Sequence, residues 1–102
     1  GAAIQEHAHK NGYSVVVDFC GHGVGNAFHE DPYVHHVGIR NTGMVIAPGM
    51  VFTIEPMINQ GTRDLYIDKD NGRTSYTTDG KLSEQWENTI LVTEKGIEVL
   101  AW

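Results

Sequence analysis

The order of apolar and polar positions along the chain predicts one helix followed by several short strands. Residues 2–11 have the composition of a helix, and Gly12 is a typical helix stop. The β-branched and aromatic run of residues 13–17 then predicts a strand. Residues 50–58 form an apolar run with one charge at its centre, which predicts a buried strand.

Short apolar stretches between turn residues predict the remaining strands. These strands are residues 65–67, a return strand near residues 74–77, residues 86–93 and residues 97–100. Turns are predicted at Asp70-Asn71-Gly72, Asp79-Gly80 and Lys95-Gly96. The glycines at positions 21, 23 and 25 interrupt any regular pattern, and residues 29–41 are predicted to form a long loop. One helix followed by strands with short connections indicates an antiparallel α+β architecture.

Length and composition limit the classes of protein to consider. The 102 residues suffice for one small domain, and the net charge of −6 argues against a nucleic-acid surface, which would need a basic stripe. No run approaches ~18 apolar residues, so no transmembrane helix is expected. Cys20 is the only cysteine, which excludes an internal disulfide and favours a reduced, cytoplasmic setting. The chain begins within the predicted helix and without a methionine, so a fragment or a processed chain is expected.

Two glutamates lie where apolar strand residues are expected. Glu55 is flanked by apolar residues in Phe52-Thr53-Ile54-Glu55-Pro56-Met57, and Glu87 precedes the apolar part of Trp86-Glu87-Asn88-Thr89-Ile90-Leu91-Val92. A buried carboxylate is costly unless it is paired or bound to a metal, so the two glutamates suggest a shared cation. Alternatively, each glutamate faces water on a half-exposed strand. The pattern alone does not decide between these interpretations.

His22 is a third candidate ligand. It lies between Gly21 and Gly23, and glycines let a backbone approach a ligand closely. A neutral imidazole together with carboxylates suits Mn, Fe, Co or Zn better than Mg or Ca. The alternatives are an ordinary turn histidine or part of a nucleotide-binding loop. The second is disfavoured because the full GxGxxG spacing and the following helix are missing.

The other histidines and the cysteine are less informative. His29 can donate a hydrogen bond to a developing oxyanion, although a surface-loop histidine is the alternative. We interpret His35 and His36 as solvated loop residues without a role. Cys20 is interpreted as a small buried residue, since no base and orienting group are evident for a nucleophile.

Together, these features resemble the type I methionine aminopeptidases. The resemblance covers essentially the whole chain and rests on an ordered series of motifs: Gly21-His22-Gly23-Val24-Gly25, Phe28-His29-Glu30-Asp31-Pro32, Pro48-Gly49-Met50, Thr53-Ile54-Glu55-Pro56-Met57 and Glu87-Asn88-Thr89. It implies an M24 metallopeptidase, with residues 1–102 forming a single partial catalytic domain. The implied architecture is the C-terminal half of the pita-bread (creatinase/aminopeptidase) fold, an α+β fold with an antiparallel sheet and a packed helix.

The resemblance also implies a role for each matching residue. His22 would bind one of two divalent metal ions (Mn, Fe, Co or Zn), and Glu87 would bridge the two. Glu55 would bind a metal and act as the general base or acid. His29 would contact the scissile peptide and stabilise the tetrahedral intermediate, and Phe28 would line the methionine pocket. The implied activity is removal of the N-terminal initiator methionine from nascent proteins by two-metal hydrolysis.

The chain departs from the family pattern in two places. The family's two metal-binding aspartates and another active-site histidine come from the first half of its fold, which this chain lacks, so little activity is expected from it alone. Tyr76 stands near the position of a tryptophan that often covers the methionine pocket. Because a half-fold exposes the surface that would face its missing partner, self-association or pairing with a missing N-terminal half is expected. A non-catalytic metal- or partner-binding fragment and a purely structural fragment remain as alternatives.

Overall fold

One helix and three antiparallel sheets make up the fold. The computed structural model describes residues 1–102. Every strand pair is antiparallel, which confirms the α+β prediction. The elements, in chain order, are α1 (Ala2–Lys10), β1 (Ser14–Val15), β2 (Gly21–Gly23), β3 (Glu30–Val34), β4 (Val51–Ile54), β5 (Met57–Asn59), β6 (Leu65–Ile67), β7 (Ser75–Thr77), β8 (Ser83–Gln85), β9 (Asn88–Thr93) and β10 (Gly96–Ala101).

The largest sheet contains the main hydrophobic core. Its five strands lie in the order β10-β9-β4-β2-β3. Side chains two residues apart on a strand share one face of the sheet, so Ile90 and Val92 of β9 lie on the same side. They pack with Phe52 of β4, and all three side chains are buried. The core therefore stabilises the pairing of β4 with β9 at the centre of this sheet.

Helix α1 is followed directly by the three-stranded sheet, whose order is β1-β5-β8. The backbone carbonyl of the buried Ala8 accepts a hydrogen bond from the Tyr13 N–H at 2.9 Å, which directs the chain into β1. Gly12 has φ +82°, a left-handed conformation that favours glycine, so the predicted helix stop is confirmed. With nine residues, α1 is too short to span a bilayer, and the structure contains no other helix.

The prediction of one strand over residues 50–58 is wrong. The chain instead leaves β4 after Ile54 and enters β5 at Met57, and these two strands belong to different sheets. Pro56 explains the break, because it has no N–H to donate to a sheet ladder. Glu55 consequently lies at the junction between two sheets.

The predicted irregular segment and long loop contain two strands, β2 and β3. Glycine is uncommon in strands, but here it allows unusually close strand approach. A Cβ on Gly21 would lie 2.2 Å from the Thr53 carbonyl oxygen, and one on Gly23 would lie 2.1 Å from the Asp31 carbonyl oxygen. These glycines are therefore sheet residues, and the prediction of irregular structure is wrong there. The polar, exposed strand β8 was also not predicted.

Strands β6 and β7 form the predicted hairpin. The Asp68 carboxylate accepts hydrogen bonds from the backbone N–H groups of Asp70 and Asn71, and Asn71 Oδ1 accepts them from those of Arg73 and Thr74. Gly72 has φ +65° within this turn, as its position in the sequence predicted. Local side-chain-to-backbone bonds of this kind explain why this hairpin could be predicted from sequence.

An apolar groove runs between α1, β5 and β8. Tyr13, Pro56, Ile58, Leu82 and Trp86 line it, and Leu82 is 78% exposed. Exposed apolar surface of this extent favours association with another surface. We therefore expect the isolated chain to self-associate as its concentration rises.

Sedimentation velocity over a concentration series tests this expectation. The weight-average sedimentation coefficient should increase with concentration, and Leu82→Ser should reduce the increase. Ile97→Ser is the matched control, because Ile97 is 66% exposed on β10 but does not line the groove. A monomer at every concentration would contradict the prediction.

Candidate metal centre

Three adjacent strands bring three candidate ligands together. His22 lies on β2, Glu55 directly follows β4 and Glu87 directly precedes β9. These strands are neighbours in the sheet, and the last pair in the β4–β9 register is Ile54 with Asn88. The two glutamates therefore extend from the same end of that strand pair. One ligand atom from each of the three residues lies within 4.8 Å of the others.

The His22 imidazole is oriented by its own strand. Its Nδ1 lies 3.1 Å from the Gly23 carbonyl oxygen, which can only accept a hydrogen bond. Nδ1 therefore has the proton, and the lone pair of Nε2 is directed away from the backbone. This arrangement is typical of a metal-ligating histidine, in which the second ring nitrogen is held by a carbonyl or a carboxylate.

Nε2 of His22 faces Glu55 Oε2 at a distance of 3.3 Å. An unprotonated imidazole nitrogen and an ionised carboxylate oxygen both have lone pairs and no hydrogen to share. A proton or a cation between them is needed to make the approach favourable. The donor set, one imidazole nitrogen and carboxylate oxygens, fits Mn, Fe, Co or Zn.

Thr53 connects two of the candidate ligands. Its hydroxyl accepts a hydrogen bond from the His22 N–H at 3.0 Å and donates one to Glu55 Oε2 at 2.8 Å. Thr53 is 2% exposed, so water does not compete for these bonds. No pattern in the sequence indicates a role for Thr53.

Glu87 lies at the more exposed side of the cluster, and its charge is disfavoured there. Burial raises the pKa of Glu87, and the charge of Glu55 and a hydrogen bond with Glu55 raise that pKa further. The positive forms of His22 and His29 act in the opposite direction on the Glu87 pKa. A cation between the two carboxylates would remove this repulsion and favour the ionised forms of both.

Phe28 and His29 lie beside His22, on the segment between β2 and β3. The His29 ring meets the His22 ring edge-on, with centroids 4.3 Å apart, and the Phe28 ring lies 4.5 Å from that of His29. Both side chains are exposed, Phe28 to 76%. The structure thus brings all five residues to which the resemblance gave roles into one region.

His36 is not a solvated loop residue, so that part of the sequence interpretation is wrong. It is 3% exposed, and its Nε2 accepts a hydrogen bond from the Glu55 N–H at 3.1 Å. Burial lowers the pKa of His36, against the opposing effect of the Glu55 charge, so the neutral acceptor form is favoured. The sequence contained one hint, since Val34 and Val37 are apolar positions beside it in a polar stretch. His35 is exposed, as predicted.

Two further residues considered in the sequence lie outside this cluster. Tyr76 stacks on Tyr66 across the β6–β7 hairpin, with centroids 5.3 Å apart. It also lines a cavity of about 230 Å³ together with Met57 and Asn59. Cys20 is a free, partly buried thiol immediately before β2.

Comparison with known proteins places the chain among metallopeptidases. Residues 1–94 match metallopeptidase family M24. The chain is 55% identical to methionine aminopeptidase A of Synechocystis over 98% of its own length and 39% of that protein. It is 51% identical to methionine aminopeptidase of Escherichia coli K12, again over 98% of its length and 38% of that protein. The chain thus spans less than half the length of these relatives.

Solved structures of methionine aminopeptidases have the same fold. The enzyme from Rickettsia prowazekii superimposes with a TM-score of 0.93 at 47% identity, over 95% of this chain and 39% of that one. The enzyme from Thermotoga maritima gives a TM-score of 0.92 at 42% identity, with the same coverage of both chains. The fold of residues 1–102 is therefore the pita-bread fold that the resemblance implied.

We predict that Glu55→Gln lowers the pKa of Glu87 toward its ordinary value in the metal-free protein. The substitution removes the neighbouring negative charge, while the effect of burial remains. The side-chain carboxyl chemical shift of Glu87, followed by NMR as a function of pH, measures the change. The same titration with Glu84→Gln, an exposed glutamate on β8, serves as the control.

The sign of the associated stability effect follows from the raised pKa of Glu87. A carboxyl whose folded-state pKa exceeds its unfolded-state pKa favours the folded state in acid, and this contribution is lost as pH rises through the folded-state pKa. Glu55→Gln should therefore make metal-free stability less dependent on pH over that interval. An unchanged Glu87 midpoint would show that the two carboxylates do not interact.

Proposed function

The chain belongs to metallopeptidase family M24, and from this membership we propose that residues 1–102 are the C-terminal catalytic half of a type I methionine aminopeptidase. The proposed reaction is removal of the N-terminal initiator methionine from nascent proteins. One observation gives the proposal most of its support: His22 Nε2 and Glu55 Oε2 face each other at 3.3 Å, while the other ring nitrogen of His22 is held by the Gly23 carbonyl. Glu87 lies within ligand distance of the same point.

The proposed cofactors are two divalent metal ions, drawn from Mn, Fe, Co or Zn. His22, Glu55 and Glu87 would hold them from this chain, with Glu87 between the two. When bound, the metal ions supply Lewis-acid activation of water and of the substrate carbonyl. The remaining ligands, two aspartates in the family pattern, would come from outside residues 1–102.

Three side chains of this chain would act on the substrate. Phe28, 76% exposed beside the site, would contact the methionine side chain of the bound peptide. His29 would donate a hydrogen bond to the oxygen that becomes negative during attack on the peptide carbonyl. Glu55 would take the proton of the attacking water and return it to the departing amine, so that the peptide bond is broken without net proton change.

The proposed partners and setting follow from this reaction. The substrates would be nascent peptides with an N-terminal methionine and a small second residue, in the cytoplasm, and no nucleic acid or membrane is needed. The apolar groove between α1, β5 and β8 would be covered by the N-terminal half of the protein. Burial of Leu82 and Trp86 there would replace the self-association expected of the isolated chain.

A second candidate function is metal or partner binding without catalysis. The composition of the cluster favours this second function. The cluster contains only three candidate ligands from this chain, and one of them, Glu87, is exposed. A site of this kind can bind a cation without a second metal or an oriented substrate. Activity measurements separate the two functions, whereas metal binding alone does not.

We predict that Mn²⁺ or Co²⁺ stabilises the protein through the candidate centre. A ligand that binds only the folded state adds about 2.7 kcal/mol when its free concentration is about 100 times Kd. Chemical denaturation with and without metal measures this. His22→Ala should abolish the stabilisation, and His9→Ala, on the exposed part of α1, should retain it. The effect should weaken in acid, because ligands must be deprotonated. Equal stabilisation of wild type and His22→Ala would place the metal elsewhere.

Release of methionine from a Met-Ala-Ser peptide tests the enzymatic proposal directly. We suggest replacing the matching 100 residues of the Escherichia coli enzyme with those of this chain, since the two are 51% identical there. The chimera should release methionine with Mn²⁺ or Co²⁺, Glu55→Ala should abolish the release, and the isolated chain should release little. A folded chimera that binds metal without releasing methionine would favour the non-catalytic candidate.

A further inference from the structure

Glu55 lies where the sheet provides little support for its backbone. It follows the last residue of β4 and is separated from β5 by Pro56, which cannot donate a hydrogen bond. Its own carbonyl receives only a long contact from Gln85 Nε2, at 3.5 Å. The precise position of Glu55 therefore depends on groups outside the ladder.

Thr53 holds the carboxylate end of Glu55. Because a backbone N–H can only donate and an ionised carboxylate can only accept, the direction of both Thr53 bonds is determined. The hydroxyl accepts from His22 and uses its single proton for Glu55 Oε2. The buried Thr53 hydroxyl thus connects the backbone of His22 to the carboxylate of Glu55.

His36 holds the peptide end of Glu55. Its buried Nε2 is the acceptor for the Glu55 N–H at 3.1 Å. At this junction of two sheets, that partly buried N–H would otherwise have no hydrogen-bond partner in the protein, which is unfavourable. His36 is 19 residues away in sequence, so this bond also connects the end of β4 with the segment after β3.

We propose that Thr53 and His36 are positioning residues that together orient Glu55 toward the metal centre, although neither contacts the metal. The inference rests on the proposed role of Glu55 as a metal ligand. Without the Thr53 hydroxyl, the Glu55 carboxylate can rotate away from His22 Nε2. Without the His36 acceptor, the backbone that supports that carboxylate can shift. Each loss reduces metal affinity through the geometry of Glu55.

Isosteric variants test the role of the Thr53 hydroxyl. Thr53→Val keeps the shape and removes the hydroxyl, whereas Thr53→Ser keeps the hydroxyl. We expect Thr53→Val to raise the Mn²⁺ dissociation constant about 10–100-fold, the range found for groups that orient metal ligands. Thr53→Ser should restore binding to near the wild-type value. Thr89→Val is the matched control, because Thr89 lies opposite Thr53 on β9 and has no bond to a ligand.

His36 variants provide a second test that does not depend on Thr53→Val being able to fold. His36→Leu removes the acceptor and should weaken Mn²⁺ binding, whereas His36→Gln offers an amide oxygen to the Glu55 N–H and should recover part of the affinity. Mn²⁺ binding is measured by isothermal titration calorimetry under conditions where denaturation curves show each variant to be folded. The visible absorption of bound Co²⁺ reports the coordination geometry independently.

The outcomes separate this proposal from the proposed function. If wild type binds Mn²⁺, His22→Ala does not, and folded Thr53→Val and His36→Leu bind like wild type, the positioning role is wrong and the metal centre stands. Loss of stability with unchanged affinity and an unchanged Co²⁺ spectrum would likewise show a merely structural role. If wild type binds no Mn²⁺, or His22→Ala binds equally well, the metal centre itself is wrong and the positioning role with it.

Discussion

The repulsion between Glu55 and Glu87 is the constraint on which the site depends. Pairing of β4 with β9 places one glutamate at the end of each strand, on the same end of the pair. Like charges directly opposite each other on neighbouring strands are destabilising. Burial is the main cause of the raised pKa of Glu87, and the charge of Glu55 raises that pKa further. A cation at this position would convert an unfavourable pair of charges into a favourable set of ligands.

The rest of the structure keeps these charges in place despite that repulsion. The core of Phe52, Ile90 and Val92 stabilises the strand pair from which both glutamates extend. Gly21 and Gly23 allow β2 to approach β4 and β3 closely, so His22 can enter the same site. Only 12 of the 102 residues are buried, which is a small core for a chain of this length. The apolar groove lined by Leu82 and Trp86 fits this view, because a covering partner would enlarge that core.

Some of this site could be predicted from sequence because the relevant patterns are local. Glu55 was recognisable as a charge inside an apolar run, and His22 as an imidazole between glycines. The β6–β7 hairpin was predictable because Asp68 and Asn71 form the turn with their own neighbours. The pattern also indicated Glu87 as a candidate ligand and His29 as a candidate oxyanion donor. The bridging role of Glu87 and the pocket role of Phe28 came only from the family resemblance.

The features that were missed depend on contacts distant in sequence. His36 is buried where its Nε2 accepts the Glu55 N–H, 19 residues away, and the role proposed for Thr53 rests on its bond to His22, 31 residues away. Strands β2 and β3 were missed because glycine normally disfavours strands, whereas here its lack of a side chain permits the pairing. The break between β4 and β5 depends on Pro56, a single residue within a run whose other positions are mostly apolar and favour a continuous strand.

Paramagnetic broadening by Mn²⁺ in a ¹H–¹⁵N NMR spectrum of the uniformly ¹⁵N-labelled protein tests whether His22, Glu55 and Glu87 form one metal centre. Broadening falls steeply with distance from the ion, so substoichiometric Mn²⁺ reports its location residue by residue. We expect early loss of the amide signals of His22, Glu55 and Glu87, while those of His7 and His9 on α1 stay sharp. Broadening that begins at α1 or at the β6–β7 turn, with His22 and Glu55 unaffected, would contradict this metal centre.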